Sequence, residues 1–204
     1  MVELCLVTVI VLILVGAAVP KMLTTIRTAK FRGGMSDFSG LLQTARIYAI
    51  RDNRFYSTYL LAANGNTPQE GYVDMLPEGT TGPSGNGGTS VVTGDPLITI
   101  PSEVTKQTAA NAPNTSNLAT QLLPSNTPVP PTDATVTPIT FGPRGLPCII
   151  VQITGGSVCN SLGGPAAYWI FFQDNLTSNW GAVTVTPAGR IQKWFYTGSA
   201  WKKL

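Results

Sequence analysis

The chain contains no histidine among its 204 residues, and only 11% of them are charged. The first absence removes Ser-His-Asp and Cys-His activation of a nucleophile. It also removes the commonest transition-metal ligand. The second absence is as restrictive. A soluble domain carries roughly 25% charged residues, so this chain lacks the charge to coat a free-standing globule. It must cover surface in a membrane or against copies of itself. Only three cysteines are present (Cys5, Cys148 and Cys159), against 21 glycines and 16 prolines. A chain of this length folds as one ordinary domain, with room for an appendage. No cofactor and no catalytic constellation are expected.

The charge that is present is segregated. Residues 21–54 sum to +5, residues 64–138 to −5 and residues 139–204 to +4; with Glu3 the total is +3. These segments are expected to face different surroundings.

From Leu4 to Val19 the chain has no charge, LCLVTVIVLILVGAAV. Sixteen helical residues span about 24 Å, slightly less than a ~30 Å bilayer core. A signal peptide of that length opens with positive charge, whereas this segment opens Met-Val-Glu. Eight β-branched residues and an apolar circumference predict a lipid-facing helix. Glu3 has two readings: an interfacial acid favoured by the helix dipole, or an acid that requires a cationic partner.

Past Pro20 the pattern turns amphipathic. Phe31, Met35, Phe38, Leu42, Ala45 and Ala49 recur at spacings of four and three, which predicts a helical stripe packed on the protein's own sheet. Asp52-Asn53 is the expected stop. Gly16 and Pro20 mark the weakest part of the helix, and a break there is expected in an assembled form.

Strand-like runs follow at Arg54–Ala62, Gly71–Met75, Leu97–Ile100, Ile139–Phe141, Ile149–Ile153, Tyr168–Gln173, Ala182–Thr186 and Ile191–Tyr196. Turn residues separate them, most plainly Pro187-Ala188-Gly189. The expected fold is α+β, an antiparallel sheet laid against one long helix. Its parts are residues 1–20 as a helix covered by membrane or by copies of itself, 21–53 as amphipathic helix, and 54–204 as a β-rich head.

Within the head, about 77–138 is expected to be irregular, rich in Gly, Thr and Ser and then in Pro, Thr, Asn and Ala. Ordering 101–138 calls for contacts beyond the chain, on a neighbouring subunit or beneath sugars; an arm packed on its own head is the competing expectation. Asn114-Thr115-Ser116 and Asn175-Leu176-Thr177 fit the N-glycan sequon, and Thr127 and Thr132 lie in Pro-flanked, Thr-rich sequence suited to O-glycosylation. Cys148 and Cys159 lie outside the apolar run, and such thiols pair where the compartment is oxidising; such a loop would stabilise by roughly 2–3 kcal/mol. Register sets them off from one another, with Cys159 expected outside the ladder. Cys5 is expected to be apolar filler.

Glu3, the apolar run, Gly16, Pro20 and the amphipathic continuation resemble the N-terminal helix of type IV pilins and type II secretion pseudopilins. In that family the glutamate is fifth and the proline twenty-second. Here both are displaced by two, which implies that two residues and a cleaved leader precede Met1 in the precursor. The stretch LLQTARIYAIRDNR, with ITFGPRGLPC and VTVTPAGRIQKW, resembles the GspH/FimT branch; about 77–138 lies outside the resemblance. The resemblance implies the pilin fold and a subunit that is anchored in the inner membrane as a precursor. It is then extracted by the pilus assembly machinery after prepilin-peptidase processing and polymerised with itself into an extracellular filament, Glu3 neutralising an adjacent subunit's terminal ammonium. A minor GspH-like pseudopilin of a type II secretion system is an alternative, as is a FimT-like DNA-binding minor pilin using Arg190, Lys193, Lys202 and Lys203 with Trp194 and Trp201 interleaved. Four cations are few, and Gln192 stands where the branch has a second arginine, so a solvated basic edge is the expected role of these residues. A third alternative is a monomeric membrane-anchored binding module.

Overall fold

The computed structural model describes residues 2–60, 69–76, 95–123, 131–135, 137–153, 156–159 and 166–204, several positions by backbone alone. Helix α1 runs Val2–Asp52. The predicted stripe forms its inner face: Phe31, Met35, Leu42, Ala45 and Ala49 are fully buried and Phe38 nearly so. The helix ends as the sequence indicates. Asn53 adopts the left-handed conformation (φ 53°), and the Arg54 amide donates to the Ala49 carbonyl at 3.2 Å. That six-to-one bond closes a Schellman motif. At Gly16–Pro20 the single chain has no interruption. Pro20 removes one donor, which leaves the Gly16 carbonyl without its partner, while the flanking turns keep the helix together. The break expected of an assembled form is absent from the isolated chain.

Two antiparallel sheets carry the head. The first has the order β3 (Leu97–Ile100), β2 (Gln69–Leu76), β1 (Phe55–Leu60), β6 (Ile139–Phe141), β7 (Pro147–Cys148). The second has the order β13 (Trp201–Lys203), β12 (Ile191–Tyr196), β11 (Trp180–Val185), β10 (Tyr168–Asp174), β4 (Val104–Gln107). The short β5 (Thr132–Asp133) joins β10 in parallel. A hairpin of β8 (Ile150–Ile153) and β9 (Gly156–Cys159) stands apart. Helix α1 lies against both sheets, with Phe38 edge-on to Phe172 at 5.5 Å and Phe31 edge-on to Phe195 at 6.4 Å. This is the α+β architecture expected, one long helix on antiparallel sheet.

The middle of the chain departs from expectation. The segment 101–138 supplies β4, β5 and helix α2 (Thr115–Leu122), so irregularity does not extend across it. Leu118 and Leu122 of α2 are buried in a second core with Trp169, Phe171, Ala182, Trp194 and Trp201. Strand β10 explains why. Tyr168, Ile170 and Phe172 face the core shared with α1, while Trp169 and Phe171 face the core shared with α2. A strand covered on both faces reads as a continuous apolar run, as YWIFF does. Polar anchors complete the arm. Trp201 Nε1 donates to the Pro113 carbonyl at 2.9 Å, and Asp133 accepts from the Ala109 amide at 2.7 Å. Contacts within one chain hold the described part of this segment, in the manner of the competing expectation of an arm packed on its own head. Two buried leucines outweigh the polar composition around them. Residues 77–94 and 124–130 lie outside the described residues.

Candidate functional site: the N-terminal helix and the Arg46 junction

The first functional surface is helix α1 before Phe31. No described residue from Val2 to Ala29 belongs to either core. That stretch extends about 40 Å at 1.5 Å per residue. Glu3 is exposed in the first turn, where the helix dipole favours a carboxylate. Val7, Val9, Val11, Leu12, Met22, Leu23 and Ile26 are all exposed. Among the described residues no helix is long and apolar enough to cross a membrane. Several side chains of the Leu4–Val19 run lie outside them.

The second surface is a junction at the opposite end of α1. The loops 142–146 and 186–190 share one geometry. In each, the first residue's amide donates to the fifth carbonyl (Gly142 to Leu146, Thr186 to Arg190, both 3.0 Å), and the glycine amide returns to the first carbonyl at 2.8 Å. Proline takes the second place (Pro143, Pro187), where a φ near −65° suits a turn. Glycine takes the fourth (Gly145 φ 68°, Gly189 φ 75°), the left-handed position of a bulged hairpin. The two turns touch: a Cβ on Gly189 would stand 2.7 Å from the Gly145 carbonyl oxygen. Arg46 of α1 binds them, its Nη1 donating to the Gly189 carbonyl at 2.9 Å. Its buried Nε has no partner among the described residues. The three stretches that carry the GspH/FimT resemblance in the helix and towards the C-terminus thus converge on one place. Arg46 carries no mark of this role in the sequence; the paired Pro-x-Gly turns at 143–145 and 187–189 are the signal that points to the junction.

A third cluster closes the helix and was also missed. Arg51 forms a two-pronged ion pair with Asp52 (2.7 and 2.9 Å), and Tyr56 donates its hydroxyl to Asp52 at 2.6 Å. Arg51 also lies 4.4 Å over the Tyr48 ring. The Arg51 hydrogen bond, then that of Tyr56, holds the Asp52 carboxyl down at about 2. Burial, reinforced by Asp52, pushes the Tyr56 phenol up to about 12. Elsewhere, burial alone lowers the ammonium of Lys106, which donates to the Leu60 carbonyl at 2.9 Å.

The remaining sequence-predicted residues scatter. Cys148 is buried and disulfide-bonded. Cys159 lies opposite Ile150 as the last residue of β9, so the expectation that it falls outside the ladder is overturned; Cys148 is the one outside it, because β7 pairs with β6. Asn114 sits in the left-handed conformation before α2, its Nδ2 donating to the Ser199 carbonyl at 3.2 Å. Asn175 is exposed, its Oδ1 accepting from Thr105 Oγ1 at 2.9 Å. Thr132 is half-buried in β5, and Thr127 lies outside the described residues. Arg190, Lys202 and Lys203 are exposed, and Lys193 reaches Ser36 Oγ at 3.2 Å. The interleaved tryptophans are not a stacking platform. Trp194 and Trp201 are buried, their Nε1 atoms donating to Thr184 Oγ1 and to the Pro113 carbonyl. Among the described residues no group of carboxylates and cysteines is arranged to hold a metal.

No protein-family model matches the sequence, and no curated protein does. Two crystal forms of the type IV minor pilin FimU of Pseudomonas aeruginosa are similar in structure. The first is 14% identical, with a TM-score of 0.46 over 86% of this chain and 94% of that one. The second is also 14% identical, with a TM-score of 0.44 over 84% and 96%.

Proposed function

We propose that the chain is a structural subunit of an extracellular type IV pilus-like filament, with assembly rather than catalysis as its activity. One observation carries this reading: the described side chains of residues 2–29 in α1 stand clear of both cores, apolar ones among them exposed and one acid at their start. Such a helix needs a host, first an inner membrane around Leu4–Val19 and then the helices of neighbouring copies. In that bundle Glu3 meets a cation of an adjacent subunit. An unpaired acid there is costly, so the pair enforces register more than it adds stability. A break at Gly16–Pro20 belongs to the same assembled state. The convergence of the three GspH/FimT-like stretches at Arg46 favours a minor pseudopilin of that branch as the second reading. The Cys148–Cys159 pairing and glycans on Asn114, Asn175, Thr127 or Thr132 are further parts of the proposal.

Electron microscopy of filaments sheared from cells, with mass spectrometry of the subunit, tests it. Filaments in which this chain repeats are expected. A chain that stays monomeric in the membrane sinks the reading, and a chain found once per filament selects the minor-subunit form.

A further inference from the structure

The Arg46 junction carries more than an intramolecular tie. Beside it lies an open groove of about 400 Å³ between α1 and β12, lined by Gln43, Arg46, Ile47, Ile50, Arg190 and Ile191. Ile47 is 60% exposed and Ile50 51%, and Leu146, in the adjoining turn, is 43% exposed. Exposed aliphatic side chains gathered at one spot and rimmed by charge mark an interaction surface. The rim here is cationic, Arg190 and Arg46 with Arg144 in the next turn, and among the described residues no carboxylate lines the groove.

We propose that this groove docks the opposite flank of α1 from a second copy of the chain, presenting Leu97 beside Asp37. On that flank a second groove runs between Ser36–Thr44 and Pro96–Thr99; Asp37 lines it, and Leu97 beside it is 47% exposed. Asp37 and Ile50 lie about 140° apart around the helix at 100° per residue, so one molecule offers both halves of the contact to different neighbours. Aliphatic meets aliphatic and carboxylate meets guanidinium. Because the two halves differ, the contact is head-to-tail and repeats without closing unless the rotation makes a ring. Nucleic acid fits this groove less well. It has no aromatic side chain to stack a base, and the nearby Trp194 is buried.

This inference rests on the filament-subunit reading and adds a contact between heads to the one between helices. The test is a charge swap in the full-length chain. Arg190→Glu and Asp37→Lys are each expected to reduce assembled filament roughly tenfold, as loss of a close intermolecular charge pair does. The double variant R190E/D37K is expected to restore it, which no folding defect would do. A photo-crosslinker at residue 47 should join peptides holding Asp37 or Leu97 of another copy. Wild-type filament yield from both single variants overturns the inference while leaving the filament reading intact, as do crosslinks only to nucleic acid or to other proteins. A wild-type chain that never assembles overturns both.

Discussion

Arg46 and Gly189 are 143 residues apart in sequence, yet their guanidinium and carbonyl meet at 2.9 Å. The bond ties the C-terminal third of the long helix to the β11–β12 turn. Arg46→Met keeps the stem and removes the donor, leaving a half-buried carbonyl unsatisfied. A loss of about 1–3 kcal/mol is expected in urea unfolding of the chain. Arg46→Lys should recover only part of it, because an ammonium has no planar fork to lie across two turns.

Gly189 and Gly198 separate two effects that glycine substitution usually mixes. Both have positive φ, 75° and 90°. A Cβ at Gly198 meets nothing within 4 Å, whereas one at Gly189 meets the Gly145 carbonyl at 2.7 Å. Gly198→Ala should therefore cost about 1 kcal/mol of conformational strain alone. Gly189→Ala should cost clearly more, because the turns must part. Thermal unfolding of the two variants side by side reads the difference; equal shifts would show that the turns do not depend on their contact.

Leu118 tests whether α2 belongs to the head. It is fully buried among tryptophans. Leu118→Ala should destabilise by about 2–5 kcal/mol and red-shift the tryptophan emission as the second core loosens. An unchanged unfolding midpoint and spectrum would make the arm an ornament.

The helix and most of its partners are legible in the sequence, for different reasons. The Phe31–Ala49 stripe has a clean period, and all six of its residues are buried. Asp52-Asn53 announces the stop, because Asn tolerates the left-handed cap. Strands β3, β6 and β12 fall where the runs do. What was not legible depends on contacts between distant residues. Helix α2 shows only two leucines in polar sequence, and it forms because β10 offers a second apolar face. Asp52, Tyr56 and Arg51 look like ordinary surface residues until the helix end folds them together. Trp194 and Trp201 beside lysines suggest a nucleic-acid surface in sequence; strand alternation turns the indoles inward and leaves Lys202 outside.

The Asp52 cluster carries a pH signature. Its folded value, about 2, lies below the ordinary 3.8, so its stabilisation is complete above the ordinary carboxylate value. It is lost as pH falls through about 2. Tyr56 works in the other direction. Raised from 10.0 to about 12, it stabilises below pH 10 and loses that contribution as pH rises through 12. Comparing the pH dependence of unfolding between wild type and Asp52→Asn checks both edges: the variant should have a flatter acid limb and, with its phenol raised less, a shallower alkaline one. Coincident curves would show the cluster to be uncoupled from folding.

Glu3→Ala should leave the head's circular dichroism and unfolding midpoint unchanged, since Glu3 is exposed and no described residue before Phe31 enters the core. Filament incorporation should fall to background. Normal filament yield from this variant would remove the proposed register contact.

The inner face of α1 packs on both sheets, and β12 of the second ends only at Tyr196. During synthesis the stripe ending at Ala49 therefore leaves the ribosome well before the surface that covers it. At 5–20 residues per second the interval is roughly 10–30 s. For that time the chain presents a long helix apolar at one end and striped at the other, with strands of the first sheet beside it but without the second sheet that completes its cover. In the proposed subunit, a membrane that took up the first segment early would also hold the second at an interface until the last strands arrive. On that proposal the apolar start of the helix would act as a chaperone in cis for the head before it served in a polymer.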